Sequence, residues 1–357
     1  MDASQQQTLY NNQKSAKFTL NSRWHRYYWQ IFVLLMIISQ LPNFAQASSP
    51  ELTMREFSSG QIKKGVRSIG FGGDGATFGN YGLVWKDAGT ALTDYGNTGF
   101  TNGNDFQFEA LGYASPALWH DLVIFVIAMD AQSNNVIFNN KSPGFGSAAV
   151  PVVGSGSDHA LFTKIAMPLG NGFSAGILLS YENSDFQASE IANSNLNVSY
   201  KTVWRPSGGF GVTWQPSPTI LLGFRALLNN DVEQRTDSTG MAQGTSSTSE
   251  YRLGGSFAPW DGALIDIGGT RLQRSRSLDT TYTTAYHPNL GFEQKIPSSA
   301  FTVRMGIDET SPTIGLSYKH APFNIDVAYV NNMSDARVGS LFGTASNSLV
   351  MTLTARY

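Results

Sequence analysis

From about residue 104 to the end, the chain alternates apolar and polar residues one by one. Phe301, Val303, Met305 and Ile307 fall on one face, and Thr302, Arg304, Gly306 and Asp308 on the other. Ile220, Leu222, Phe224 and Ala226 oppose Gly223 and Arg225 in the same way. Side chains on a strand switch face at every residue, so each such run is a strand with one apolar and one polar side. No helical period longer than two turns competes with this reading after the first 47 residues.

The connections carry a second regularity. Tight ones fall at Leu169–Gly172, Pro216–Pro218, Pro259–Gly262, Ile296–Ser298 and His320–Pro322. Between them lie Gln187–Ser194, Asn230–Ser249, Ser275–Thr280, Glu309–Ser311 and Asn332–Ser346, polar and mostly longer. Short and long in turn is the plan of an up-and-down barrel, with tight turns at one rim and loops at the other. The alternation marks thirteen strands between residues 105 and 357. Single-chain bacterial barrels have even strand numbers, so a fourteenth is expected between about 65 and 103. The expected fold class is all-β: a transmembrane antiparallel up-and-down β-barrel of about 14 strands with an N-terminal plug segment.

Composition decides between lipid and water outside such a barrel. Only 14% of residues are charged, against about 25% in soluble domains. Large apolar groups occupy one strand face, and Gly, Ser, Thr and isolated charges occupy the other. Mean hydropathy is only −0.17, as expected when half of each strand is polar. The strands are close to the ~9–11 residues that a tilted strand needs to cross the hydrocarbon layer. Tyr286, Tyr318, Tyr329, Trp214 and Trp260 fall near expected strand ends, where an aromatic girdle belongs. There is no cysteine, which excludes a disulfide scaffold, a Cys-ligated zinc and a thiol nucleophile.

The N-terminus reads as an address. Lys14, Lys17, Arg23 and Arg26 precede the apolar run Ile31–Ile38, and a small-residue site ends at Ala47. This is the plan of a secretory signal peptide cleaved near Ala47. The whole chain carries 24 basic and 26 acidic residues; the segment takes four basic and one acidic with it, leaving a net charge of −5. That balance argues against nucleic acid as a partner. The resulting division is 1–47 signal peptide, 48–103 plug and first strand, and 104–357 barrel, placed in a bacterial outer membrane.

Leu349, Met351, Leu353, Ala355 and Tyr357 alternate with Ser348, Val350, Thr352, Thr354 and Arg356 up to the terminal aromatic. Leu353, Ala355 and Tyr357 thus resemble the assembly signal of outer-membrane barrels, which implies the barrel-assembly machinery and outer-membrane lipid as partners. Gly208-Gly209-Phe210-Gly211-Val212-Thr213-Trp214-Gln215-Pro216 and the returning Ile220–Arg225 resemble a hairpin of the FadL-like outer-membrane transporters. Arg67, Gly70, Gly72, Gly73 and Gly75 resemble the glycine stretch near the mature N-terminus of that family and of PorV-type relatives. The resemblance implies passive uptake of small hydrophobic molecules, such as long-chain fatty acids or hydrocarbons, past a luminal plug, with no enzymatic activity and no cofactor. The alternative is a PorV-type envelope scaffold or secretion accessory without transport. Oligomeric state is left open.

Other patterns are weaker. Gly70–Gly75 matches G-x-G-x-x-G, but no βαβ context surrounds it. Ser157-Asp158-His159 are adjacent, so their side chains point apart and form no catalytic line. The scattered histidines have no metal-ligand spacing. More informative are charges on expected lumen faces: Glu182, Arg225, Arg252, Asp266, Arg304, Lys319 and Asp326. Two readings are open: they pair with each other or the plug, or Arg225 or Arg304 clamps a ligand carboxylate. Leu122–Met129 is apolar on both faces, which suits a wall strand whose inner side meets a plug or an apolar ligand.

Overall fold

In a computed structural model, the described residues are 77, 80–100, 105–140, 150–190, 197–237, 240–277, 281–308, 311–331 and 346–357. The expected signal peptide, residues 1–47, and the glycine stretch at Arg67, Gly70, Gly72, Gly73 and Gly75 fall outside them.

Fourteen antiparallel strands close into one barrel. They are β1 (Thr90–Phe100), β2 (Asp105–Ala114), β3 (Val123–Asn140), β4 (Val150–Gly170), β5 (Phe173–Glu190), β6 (Asn197–Ser217) and β7 (Ile220–Asp237), followed by β8 (Gly240–Phe257), β9 (Ala263–Arg276), β10 (Thr281–Lys295), β11 (Phe301–Asp308), β12 (Ser311–His320), β13 (Phe323–Val330) and β14 (Ser346–Arg356). Each strand pairs with its sequence neighbours, and β1 pairs with β14 from Thr90↔Arg356 to Phe100↔Ser346. The expected fourteenth strand is therefore β1.

Register fixes the faces. On β12 the side chains from Ser311 to Tyr318 alternate strictly between buried and exposed. Leu111, Leu161, Ile177, Leu179, Leu222, Leu253, Met305, Ile314 and Leu353 point outward and are exposed, so the apolar face is the outer one, as an outer-membrane barrel requires. On β5 this band runs from Phe173 to Tyr181. That is about 26 Å along a strand, or about 20 Å of height at a tilt near 40°, comparable with the ~25 Å band of such barrels. Aromatic pairs mark its tight-turn edge: Phe173 and Trp214 stack at 5.5 Å, Tyr113 and Tyr357 stack at 5.5 Å, and Phe301 and Tyr318 meet at a tilt, 5.0 Å apart.

The tight connections fall where the sequence places them. Between β4 and β5, Gly170, Asn171 and Gly172 all take positive φ, at 88°, 51° and 79°, which glycine adopts freely and asparagine tolerates. The opposite rim differs from expectation. The stretch 230–249 is not a loop, because β7 continues to Asp237 and β8 starts at Gly240. Likewise β4 begins at Val150 rather than near 159, and β5 continues to Glu190. Above the apolar band the outward residues turn polar, as at Asn183, Asp185 and Gln187 of β5, so the alternation fades while the backbone ladder continues. Outward Asp130 and His159 mark the start of that zone, 3.5 Å apart. The wall is consequently uneven: β4 and β6 have 21 residues, β11 and β13 only 8.

Candidate functional site

The chain before β1 runs along the inside of the wall. Thr77 donates to Asp266 of β9 at 2.6 Å and accepts from Ser256 of β8 at 2.9 Å. Asn80 Nδ2 donates to the carbonyls of Val212 on β6 and Phe224 on β7, at 3.2 and 2.9 Å. Its Oδ1 accepts from the amide of Gly82 at 2.8 Å, capping a 3-10 helix over Tyr81–Asp87. A short polar side chain at this position satisfies an amide that the helix start leaves open. The helix then leads into β1. Gly89 donates to Ser115 and accepts from the Tyr357 amide, at 3.0 and 3.1 Å.

The glycines of the β5–β6 wall make room for this segment. A Cβ at Gly211 would stand 2.1 Å from Asn80 Oδ1, and one at Gly176 would stand 2.3 Å from the Tyr81 carbonyl. Gly176 and Gly211 are register partners, so they form one bare patch on which Asn80, Tyr81 and Gly82 rest. The Gly209 and Gly211 of the hairpin motif thus have a steric reason, and Asn80 and Tyr81 are the residues that supply it. Sequence reasoning did not single out either of them. An Asn immediately before a Tyr–Gly pair is a cap signal that could have done so.

Around this seat the lumen has two kinds of wall. On β2 to β5, Phe108, Phe125, Ile127, Met129, Phe162 and Leu178 form one buried cluster with Tyr81 and Val84. Register places all six on the inner face. The two-sided apolarity of Leu122–Met129 is explained: one side meets lipid and the other meets this cluster.

The β7–β13 wall is polar. Arg225 and Arg252 converge on Glu250 Oε1 at 3.0 and 2.6 Å. Arg225 also covers the Tyr81 ring, 5.0 Å from its centroid. Arg304 bridges Glu293 at 2.6 Å and Asp326 at 2.9 Å, and Asp326 further accepts from Ser317 and Asn324. Asp266 holds Thr77 and Ser256. Glu182 is buried on the inner face of β5, in register with Ala160 and Arg205. Lys319 is exposed beside the β12–β13 turn, outside both networks. Of the expected lumen charges, the structure therefore joins Arg225 with Arg252 and Arg304 with Asp326. Glu250 and Glu293 complete the two groups. Glu250 shares the face of Arg252 by parity, two residues away, whereas Glu293 is brought to Arg304 by cross-strand register.

At the closing seam, Thr352 donates to the buried Asp94. The terminal residue is tied down as well: Tyr357 Oη donates to the Ala114 carbonyl at 2.6 Å.

No protein-family model and no curated protein matches the chain. Solved structures do. The deltaS2S3 mutant of the TodX monoaromatic hydrocarbon channel superposes with a TM-score of 0.56 at 9% identity, covering 82% of this chain and 99% of the other. The Pseudomonas putida toluene transporter TodX gives 0.52 at 9% identity, with 82% and 98% covered. The CymD monoaromatic hydrocarbon channel gives 0.52 at 12% identity, with 81% and 96% covered. These are channels rather than enzymes. Together with the outward apolar band, they show the fold: this chain is a closed, membrane-type antiparallel β-barrel similar in architecture to the TodX and CymD channels.

Proposed function

We propose that the barrel lets small hydrophobic molecules, long-chain fatty acids or hydrocarbons, diffuse passively across the outer membrane past its luminal segment. Residues 48–103 would supply that segment and the first strand, after removal of a signal peptide near Ala47. One observation carries the reading. Phe108, Phe125, Ile127, Met129 and Phe162 face inward on adjoining strands, whereas an aqueous porin has a polar lumen. Apolar solutes gain from leaving water along such a wall, and no energy source is needed for flow down a gradient. The likeness to channels described for toluene and monoaromatic hydrocarbons supports the same reading.

The test is uptake of labelled toluene and labelled oleate by cells with and without the gene. Faster entry of at least one label in the carrier cells is expected. Equal rates for both would remove transport and favour the scaffold or secretion-accessory role.

A further inference from the structure

We infer that Arg271, with Tyr251 and Tyr286 on either side, binds a phosphate of a phosphorylated glycolipid in the loop-side leaflet of the membrane. Such binding requires the lipid-facing outer wall but no transport.

Arg271 is on β9 and exposed. It points outward, because Asp266, Thr270 and Leu272 on the same strand are buried while Ile267 is 51% exposed. Register sets Tyr251 of β8 on one side of it and Tyr286 of β10 on the other. Side chains directly opposite on paired strands start about 5 Å apart at Cβ, so one guanidinium and two phenol groups share one spot on the outer surface. Tyr286 is 70% exposed, which leaves that spot open to the surroundings.

The height is that of lipid headgroups. Arg271 comes nine residues after Gly262 of the tight turn. That is about 30 Å along a strand, or about 23 Å of height at a tilt near 40°. Tyr181, which ends the apolar band on β5, likewise comes nine residues after Gly172. The charge there has no acid beside it. The diagonal outward neighbours Ser249, Leu253, Thr284 and Pro288 are all uncharged. Two other outward basic residues differ: His159 faces Asp130, and Lys201 faces Asp185. The counter-charge for Arg271 therefore comes from outside the chain.

A phosphate fits this spot. The guanidinium fork matches two phosphate oxygens at once, and tyrosine hydroxyls can donate to the others. Below it, Leu253 is 68% exposed and pairs with Gly269, and Ile267 pairs with Gly255. The two bare positions between the two apolar side chains form a shallow bed for acyl chains. Above it, Ser249, Gln273, Ser275 and Thr284 are outward and neutral, which suits sugar hydroxyls. Apolar bed, phosphate clamp and neutral polar top follow the order of parts in a phosphorylated glycolipid.

The test is native mass spectrometry of the detergent-purified barrel titrated with lipid A. Wild type is expected to bind roughly tenfold tighter than Arg271→Gln, the scale of one charge-assisted hydrogen bond. Lys201→Gln removes another outward cation and should bind as wild type does. Heat-modifiable mobility on gels reports folding. If Arg271→Gln fails to fold, wild type decides by itself: enzymatically dephosphorylated lipid A should bind roughly tenfold more weakly than lipid A. Equal binding of the two lipids by wild type, or of lipid A by wild type and a folded Arg271→Gln, would overturn the site. So would an equal loss in Arg271→Gln and Lys201→Gln, which would reduce it to general charge attraction. Phosphatidylglycerol binding as tightly as lipid A, or displacement of lipid A by inorganic phosphate, would overturn the glycolipid as its occupant.

Discussion

The hydroxyl of Thr77 donates to the carboxylate of Asp266 at 2.6 Å, although 189 residues separate them. It is a contact between the luminal segment and the far wall, made before the chain enters its first strand. Thr77→Val keeps the shape and removes the hydroxyl. It leaves Asp266 with one donor fewer, a loss of about 1.5–3 kcal/mol for a bond to a charged group. The strand ladder is untouched, so the barrel should fold at normal yield. Ion leakage in planar bilayers should rise relative to wild type, and unchanged conductance would mean that this contact does not seal the lumen.

The bare patch under Asn80 and Tyr81 makes a position-specific prediction. Gly211→Ala would put a carbon 2.1 Å from Asn80 Oδ1, while the nearest atom to a Cβ at Gly208 is 3.5 Å away. Overpacking of this kind costs about 1–3 kcal/mol. Gly211→Ala should lift the segment from the wall and expose the Tyr81–Asp87 stretch to added protease in purified protein. Gly208→Ala should leave the digestion pattern unchanged. Identical patterns for both variants would contradict the seat.

Glu250 holds two buried guanidinium groups at once. Glu250→Ala strands both, and breaking a buried pair from one side costs about 3–5 kcal/mol. The temperature at which the folded gel band disappears should fall clearly. Glu250→Gln keeps an acceptor oxygen and should fall less. Equal loss in the two variants would mean that shape, not charge or hydrogen bonding, holds this part of the wall.

Tyr357 has two separable roles. Its ring stacks on Tyr113, and its hydroxyl donates to the Ala114 carbonyl. Tyr357→Phe keeps the ring and loses one hydrogen bond, about 1 kcal/mol. Tyr357→Asp loses both and puts a charge at the membrane edge. Quantified in outer-membrane fractions, the Asp variant should be depleted several-fold and the Phe variant nearly normal. Normal levels of the Asp variant would remove the terminal aromatic as an assembly determinant.

Much of this fold was legible because lipid outside and lumen inside impose opposite chemistry on neighbouring residues. Phe301, Met305 and Arg304 declared their faces by parity alone. The extended tops of β7 and β8 were not legible, because residues such as Asn230, Ser247 and Ser249 leave the apolar band and lose contrast between faces. The site was half legible. Arg225 and Arg304 were visible as inward charges, but their use in ion pairs depended on cross-strand register, which brings Glu293 to Arg304 and Glu250 within reach of Arg225. Asn80 and Tyr81 escaped notice because their partners are backbone carbonyls and glycines, which leave no complementary residue type to read.

The seam between Thr90 and Arg356 has a consequence for how the molecule comes into being. The strand completed last must find the strand completed first, and no intermediate with fewer strands can hide both its edges. A chain cut short within β14 would keep most of its strand pairs and still present an open border to its neighbours. Closure of the wall thus rests on one pairing between strands that lie at opposite ends of the barrel sequence.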